Sequence, residues 1–260
     1  MSAVAVAQFA PPPAQPSLPG IPSLPREVEA LDARAILALA LERLGRDRLP
    51  IVSSFGPEGI VILDLVRSIE PRPRVLTLDT GRLHAQTYDL IEQVSRALDL
   101  EIEVVFPDAD AVARMTRERG VNLFYRSVDD RLRCCAVRKV DPLRQALRDA
   151  WGWVTGVRRD QTSARARTPK IGLDLEHGGI WKVAPLADWT EARVWAHIRS
   201  RGLPYHPLHD QGYPSIGCAP CTRAIAPGED PRAGRWWWET DGSRECGLHL
   251  RTAADSGSDS

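Results

Sequence analysis

Short apolar runs alternate with stretches of helical spacing along the middle of the chain, and this alternation restricts the fold more than any other feature. Residues 51–55 (Ile-Val-Ser-Ser-Phe) read as a buried strand, halted by Gly56-Pro57 and followed by a helix over 59–66. Residues 75–78 (Val-Leu-Thr-Leu) read as a second strand, and a helix over 83–98 turns Tyr88, Ile91 and Val94 inward. A third strand over 101–106 precedes a helix over 108–119. After Cys134-Cys135 comes a helix carrying Val140, Leu143 and Leu147. Residues 153–155 and 181–184 supply a fourth and a fifth strand. Ahead of them all, a helix from Asp32 carries Ile36, Leu37, Ala40, Leu41 and Leu44 on one stripe. Behind them, Asp188 or Thr190 caps a helix that stops near Arg201, where Gly202 suits a left-handed end. Such alternation implies an α/β fold: a mainly parallel sheet flanked by helices.

Three segments follow from this reading. Residues 1–30, with Pro11, Pro12, Pro13, Pro16, Pro19, Pro22 and Pro25, are expected to be extended or disordered. Residues 31–243 form the α/β body, loop-rich beyond Tyr205, and 244–260 form a polar, flexible tail. Apolar residues make up 43% and charged residues 26%, so a core of ordinary size is available. The formal net charge of zero argues against a nucleic-acid partner held by bulk electrostatics. No apolar run approaches the ~20 residues of a membrane span. The start, MSAVAVAQFAPPP, lacks the charged opening and long apolar stretch of a secretory signal. A cytoplasmic location with reduced thiols is therefore expected.

Five cysteines are arranged as an adjacent couple, Cys134-Cys135, a CxxC at Cys218 and Cys221, and a single Cys246 near the end. An odd number in a reducing compartment is a poor disulfide framework. Two couples and a singleton read as a four-ligand site and one further thiol. Zinc favours CxxC-type couples whose side chains spread apart. Neighbouring cysteines diverge, and a cubane with separated iron corners accepts them better, so a [4Fe–4S] cluster is the expected cofactor. Lys139 lies one helical turn beyond Cys135, within reach of the same site. Cys246 sits between Arg244 and His249, two candidate cations for a nucleophilic thiolate.

Ligands of such a sheet bind outside the carboxyl ends of its strands. Three polar turns are expected there: Ser53-Ser54-Phe55-Gly56-Pro57-Glu58, Leu78-Asp79-Thr80-Gly81-Arg82 and Gly156-Val157-Arg158-Arg159-Asp160-Gln161. Backbone N–H groups and hydroxyls at a strand-to-helix turn receive anions. Farther on, the guanidinium groups of Arg232 and Arg235 suit phosphate or sulfate oxygens, and Trp236, Trp237 and Trp238 serve mostly as packing.

From about Leu49 to Leu250 the chain resembles the iron–sulfur branch of the sulfonucleotide reductases, the enzymes that act on adenylyl sulfate (APS) or phosphoadenylyl sulfate (PAPS). The resemblance is carried by Cys134-Cys135 with Arg138-Lys139, Gly217-Cys218-Ala219-Pro220-Cys221-Thr222-Arg223, Gly234-Arg235-Trp236-Trp237-Trp238-Glu239, and Glu245-Cys246-Gly247-Leu248-His249. It implies a fold related to the PP-loop (adenine nucleotide alpha hydrolase-like) enzymes and a [4Fe–4S] cluster on Cys134, Cys135, Cys218 and Cys221. It also implies that Cys246 attacks the sulfur of APS, expels AMP and carries an S-sulfocysteine that thioredoxin reduces to release sulfite for sulfate assimilation. Carried over by position, the substrate-binding set is Ser53, Ser54, Leu78, Thr80, Lys139, Arg165, Arg232, Arg235 and His249. The nearest rival is a reductase of PAPS or of both substrates. An ATP-dependent adenylating enzyme would carry a fuller glycine loop than Ser53-Ser54-Phe55-Gly56-Pro57-Glu58. A redox sensor would leave the Glu245–His249 motif without purpose. Oligomeric state stays open at this level.

Overall fold

A computed structural model describes residues 20–25 and 27–239; Arg244, Cys246, His249 and the rest of the tail lie outside them. The strands are β1 (Ile51–Val52), β2 (Val75–Leu78), β3 (Ile102–Val105), β4 (Gly152–Val154), β5 (Ile171–Asp174) and β6 (Ile180–Val183). They form one sheet in the order β3-β2-β1-β4-β6-β5, and every pairing is parallel except β5 with β6. The helices are α1 (Ala33–Leu44), α2 (Pro57–Arg67), α3 (Ala85–Leu98), α4 (Ala109–Arg119), α5 (Val128–Cys135), α6 (Asp141–Ala146) and α7 (Glu191–Arg201).

Period-two alternation along the strands divides the interior. Ile51, Val75, Val154 and Val183 face a large core filled by Ile36, Leu37 and Leu44 of α1, Ile60 and Leu63 of α2, Leu90 and Val94 of α3, and Val194 and Ile198 of α7. Their neighbours Val52, Leu78, Trp153 and Ile180 face a smaller core with Leu143, Leu147 and Ala150. Each fully buried aliphatic side chain here contributes roughly 1.5–3 kcal/mol. Local signals set the helix ends as expected. The Asp32 carboxylate accepts from Ala35 N at 2.8 Å, the Thr190 hydroxyl accepts from Arg193 N at 3.2 Å, and Gly202 closes α7 at φ 61°.

The fold departs from the sequence reading in five places. There are six strands, because β5 makes an antiparallel hairpin with β6 through Gly178 and Gly179, both at positive φ. The first strand ends early, because buried Phe55 takes a left-handed φ of 57° and turns the chain into α2. Tyr88 points outward, 43% exposed, because its hydroxyl donates to the Asp79 carboxylate at 3.0 Å. Cys134 and Cys135 close a helix that was not expected, α5, and the expected helix beyond them begins as a π-helical turn over Ala136–Val140 before α6. Before residue 31 the chain is anchored: Leu24 and Val28 are buried in the large core, and Trp181 Nε1 donates to Pro22 O at 2.9 Å. Residues 1–19 and 26 lie outside the described residues. Among the described residues no helix is long and apolar enough to cross a membrane.

Beyond α7, His206 ties the loop to α3. Its Nδ1 accepts from Leu208 N at 3.3 Å, which leaves the proton on Nε2 to donate to the Thr87 hydroxyl at 3.1 Å. Burial, then the charges of His209 and His84, push its pKa from 6.5 down to about 4. The unfolded chain therefore binds a proton in this window that the folded chain refuses, and stability rises with pH there. Thermal unfolding is expected at progressively lower temperature as pH falls from 6.5 towards 4, and His206→Gln is expected to lose less over the same interval. Parallel pH profiles of the two proteins would remove this assignment.

Candidate active site

Strands β2, β1 and β4 are neighbours, so the three polar turns that follow them leave the same edge of the sheet side by side. At the end of β1, Ser53 is buried and its hydroxyl accepts from Phe55 N at 3.0 Å, whereas Ser54 is exposed. Gly59, in the first turn of α2, is required by Ser53: a Cβ there would stand 2.4 Å from Ser53 Oγ. Gly59→Ala is therefore expected to dislodge that hydroxyl and cost about 1–3 kcal/mol, the cost of an unmade buried hydrogen bond. Denaturant unfolding together with nucleotide affinity checks this, and both should fall.

Glu58 at the same turn accepts from Arg158 Nε at 2.8 Å and from Gln161 Nε2 at 2.9 Å, which joins the β1 and β4 turns. Gly156 allows this approach, since a Cβ there would meet Glu58 Cβ at 2.9 Å. Arg165 donates to Gln161 Oε1 at 2.5 Å and so belongs to this half of the edge.

At the end of β2, half-buried Leu78 precedes Asp79, whose carboxylate accepts from Gly81 N at 2.7 Å. Thr80 is 1% exposed and touches the cysteines directly, with Oγ1 and Cys218 Sγ 3.3 Å apart. Its carbonyl accepts from Arg138 Nη1 at 2.6 Å, and Arg82 O accepts from Ala219 N at 2.8 Å. The β2 turn is thus fastened to both cysteine-bearing segments.

All four cysteines of the two couples are buried. Cys134, Cys218 and Cys221 pack with Met115, Leu123, Phe124 and Trp236 in a core of their own. Cys135, about 100° around the helix from Cys134, adds its charge to that felt at Cys221. Burial, then the Cys218 charge, pushes the Cys221 thiol up to about 12. Burial acts against the Cys218 thiolate too, but Lys139, the Thr80 hydroxyl and Arg235 outweigh it and hold Cys218 below the usual thiol range. Lys139, on the π-helical turn, therefore faces the CxxC as the sequence suggested. The donor set is four soft sulfurs, the set used by iron–sulfur centres and structural zinc. Among the described residues no group of three or more His, Cys, Asp or Glu side chains is suited to holding one metal ion.

Arg235 is buried, bridges by its backbone to Thr222, and donates to Ser215 Oγ at 3.3 Å. Gly217 makes room for it, since a Cβ there would lie 2.3 Å from the guanidinium. Arg232 sits half-buried on the same turn. Of the expected residues, Thr80, Lys139, Arg235 and the four cysteines are gathered at one locus, while Ser53, Ser54 and Arg165 belong to the adjoining turns. Cys246 and His249 lie outside the described residues.

Two residues at the site have no counterpart in the sequence reading. His84, at the N-terminus of α3, has its pKa pushed below the usual histidine range by burial and then by the Arg235 charge. Arg131, one turn before Cys135 on α5, is buried, hydrogen-bonds the Cys135 thiol and forms a fork with Glu239. Only its spacing from Cys135 could have drawn notice.

Residues 48–224 match the family described as the phosphoadenosine phosphosulfate reductase domain. Over 231 residues the chain is 48% identical to an adenosine 5'-phosphosulfate reductase of Burkholderia cepacia, covering 89% of this chain and 90% of that protein. It is 47% identical over 241 residues to the enzyme of that name from Allochromatium vinosum, covering 92% and 91%. Among solved structures, a phosphoadenylyl-sulfate reductase from Candida auris in complex with phosphate is similar at a TM-score of 0.65 and 26% identity, over 78% of this chain and 98% of that one. An FMN adenylyltransferase from Candida glabrata in complex with ATP shares the fold alone, at a TM-score of 0.54 and 15% identity over 76% of this chain and 65% of that one.

Proposed function

The chain belongs to the phosphoadenosine phosphosulfate reductase family, and on that premise we propose that it reduces adenylyl sulfate to sulfite and AMP in sulfate assimilation. The observation that carries the reading is the contact of Thr80, at the substrate edge of β2, with Cys218, at the seat of the buried sulfurs. Substrate anions at that edge would meet Lys139, Arg235, Arg232 and Arg165, with Ser53, Ser54 and the backbone at Leu78 receiving the nucleotide, and His249 joining from the tail. Fixed cations aimed at developing charge stabilise a transition state more than anything else such a site offers.

The donor set fits a [4Fe–4S] cluster on Cys134, Cys135, Cys218 and Cys221, which would hold its four thiolates farther apart than a single ion does. When bound, it would supply a fixed charge distribution beside Lys139 rather than electrons. The cysteines then hold their segments against the β2 turn, and Lys139 and Arg235 orient the sulfate end.

Cys246 is the proposed nucleophile. Its thiolate forms a bond to the substrate sulfur while the bond from sulfur to the AMP phosphate oxygen breaks, leaving S-sulfocysteine. A dithiol donor of the thioredoxin class then attacks Cys246 Sγ, sulfite departs, and the donor's second thiol resolves the mixed disulfide. The two electrons come from the donor, which leaves as a disulfide. A cytoplasmic location, with reduced thiols, belongs to the same reading.

An anaerobic assay with reduced thioredoxin is expected to yield sulfite and AMP in equal amounts from adenylyl sulfate, and much less sulfite from phosphoadenylyl sulfate. Equal rates on both would mark a dual enzyme, and sulfite from neither would overturn the proposal.

A further inference from the structure

Glu239 is the last described residue, and it is held unusually firmly. Arg131 Nε donates to Glu239 Oε1 at 2.9 Å and Arg131 Nη2 to Glu239 Oε2 at 3.0 Å, with both side chains only 3% exposed. Such a two-pronged pairing fixes orientation as well as distance. The Arg131 guanidinium also lies 4.6 Å from the centre of the Trp236 ring, and that of Arg235 lies 4.7 Å from the same ring, so two guanidinium groups pack on one indole. Trp236 itself is 1% exposed and takes a left-handed φ of 44°, which a bulky residue keeps only when its surroundings hold it there. Its backbone N donates to Cys221 O at 3.2 Å, and its carbonyl accepts from Glu239 N at 2.9 Å. On the other side, Arg131 stands one turn before Cys135 and hydrogen-bonds its thiol.

We propose that Arg131 and Glu239 are positioning residues, a latch that fixes the origin of the Cys246-bearing segment against the helix that ends in Cys134-Cys135. The proposal rests on the assignment of Cys246 as nucleophile. Cys246 lies seven residues beyond Glu239, so a fixed origin confines its sulfur to a sphere of about 25 Å radius at full extension. The origin of that sphere stands in the packed core beside the cysteine couples. A buried charge pair is costly to desolvate; an apolar pair would fill the same space but would not fix the orientation of the backbone at Glu239. Both side chains of the latch are buried against each other, so its proposed contribution lies in delivery of the thiolate and not in binding.

The test compares wild type with Arg131→Met/Glu239→Leu, measuring iron content, thermal midpoint, AMP affinity and single-turnover transfer of the sulfo group from adenylyl sulfate to Cys246. Methionine keeps a contact with the Trp236 ring, and the apolar pair leaves no buried charge, so this variant folds where a single substitution would strand Arg131 or Glu239 alone. Iron, thermal midpoint and AMP affinity are expected to stay at wild-type values while transfer slows by on the order of tenfold to a hundredfold, the cost of small misplacement of a reacting group. Unchanged transfer, or iron lost from the double variant, overturns the latch. Wild-type protein that never acquires the sulfo group overturns the nucleophile assignment itself, which is a distinct result.

Discussion

Cys246→Ser is expected to release no sulfite and to form no sulfo-enzyme, while its iron content and its affinity for AMP remain those of the wild type. The displacement needs a soft, ionised sulfur at neutral pH, and a serine hydroxyl is neither. AMP departs readily, so no acid catalyst elsewhere in the site can compensate for a lost nucleophile. The other cysteines cannot substitute either. All four are buried, and in a variant that keeps its iron each would be engaged as a ligand of the proposed cluster. Sulfo-enzyme formed by the serine variant would transfer the role to another residue.

Exchanging Cys218 for serine is expected to have the opposite profile: iron lost, and with it both activity and much of the stability. Cys218 is the sulfur that Thr80 and Lys139 address, and it packs with Cys134 and Cys221 against Trp236 and Phe124. That core is small, and a bound cluster would supply a large part of its cohesion, because metal-binding energy is folding energy where the site forms only on folding. Loss of a ligand then belongs with the severest substitutions, above about 4 kcal/mol. Cys134→Ser, Cys135→Ser and Cys221→Ser should behave alike. A fully loaded, spectroscopically unchanged variant of any of the four would refute the ligand assignment.

The sequence was most legible where the physics is local. Asp32, Thr190 and Gly202 carry their capping roles on their faces, and the strand-and-helix alternation from Ile51 to Val183 leads directly to the parallel sheet and its functional edge. Residues in short spacings were equally easy to place together: the cysteine couples, and Lys139 one turn beyond, share one locus. Features made by distant partners were not. β5 was missed because Gly172 and Asp174 dilute its apolar pattern, and only the Gly178-Gly179 pair hints at the hairpin that completes it. Helical period put Tyr88 inside, but Asp79, nine residues earlier, draws its hydroxyl outward. Glu58 read as part of an anion-receiving turn, and it is engaged by Arg158 and Gln161, about a hundred residues away. The Arg131–Glu239 fork joins residues 108 apart, and neither has a local pattern to announce the other.

The division between buried sulfurs that hold structure and one sulfur that reacts is tested most directly by incubating the protein, without oxygen or reductant, with adenylyl sulfate radiolabelled in its sulfur, then mapping the label by peptide. One label per chain, on the peptide containing Cys246 and released as sulfite by a dithiol, is the expected result. Label on any of Cys134, Cys135, Cys218 or Cys221, or none on the protein while sulfite still forms, would contradict it.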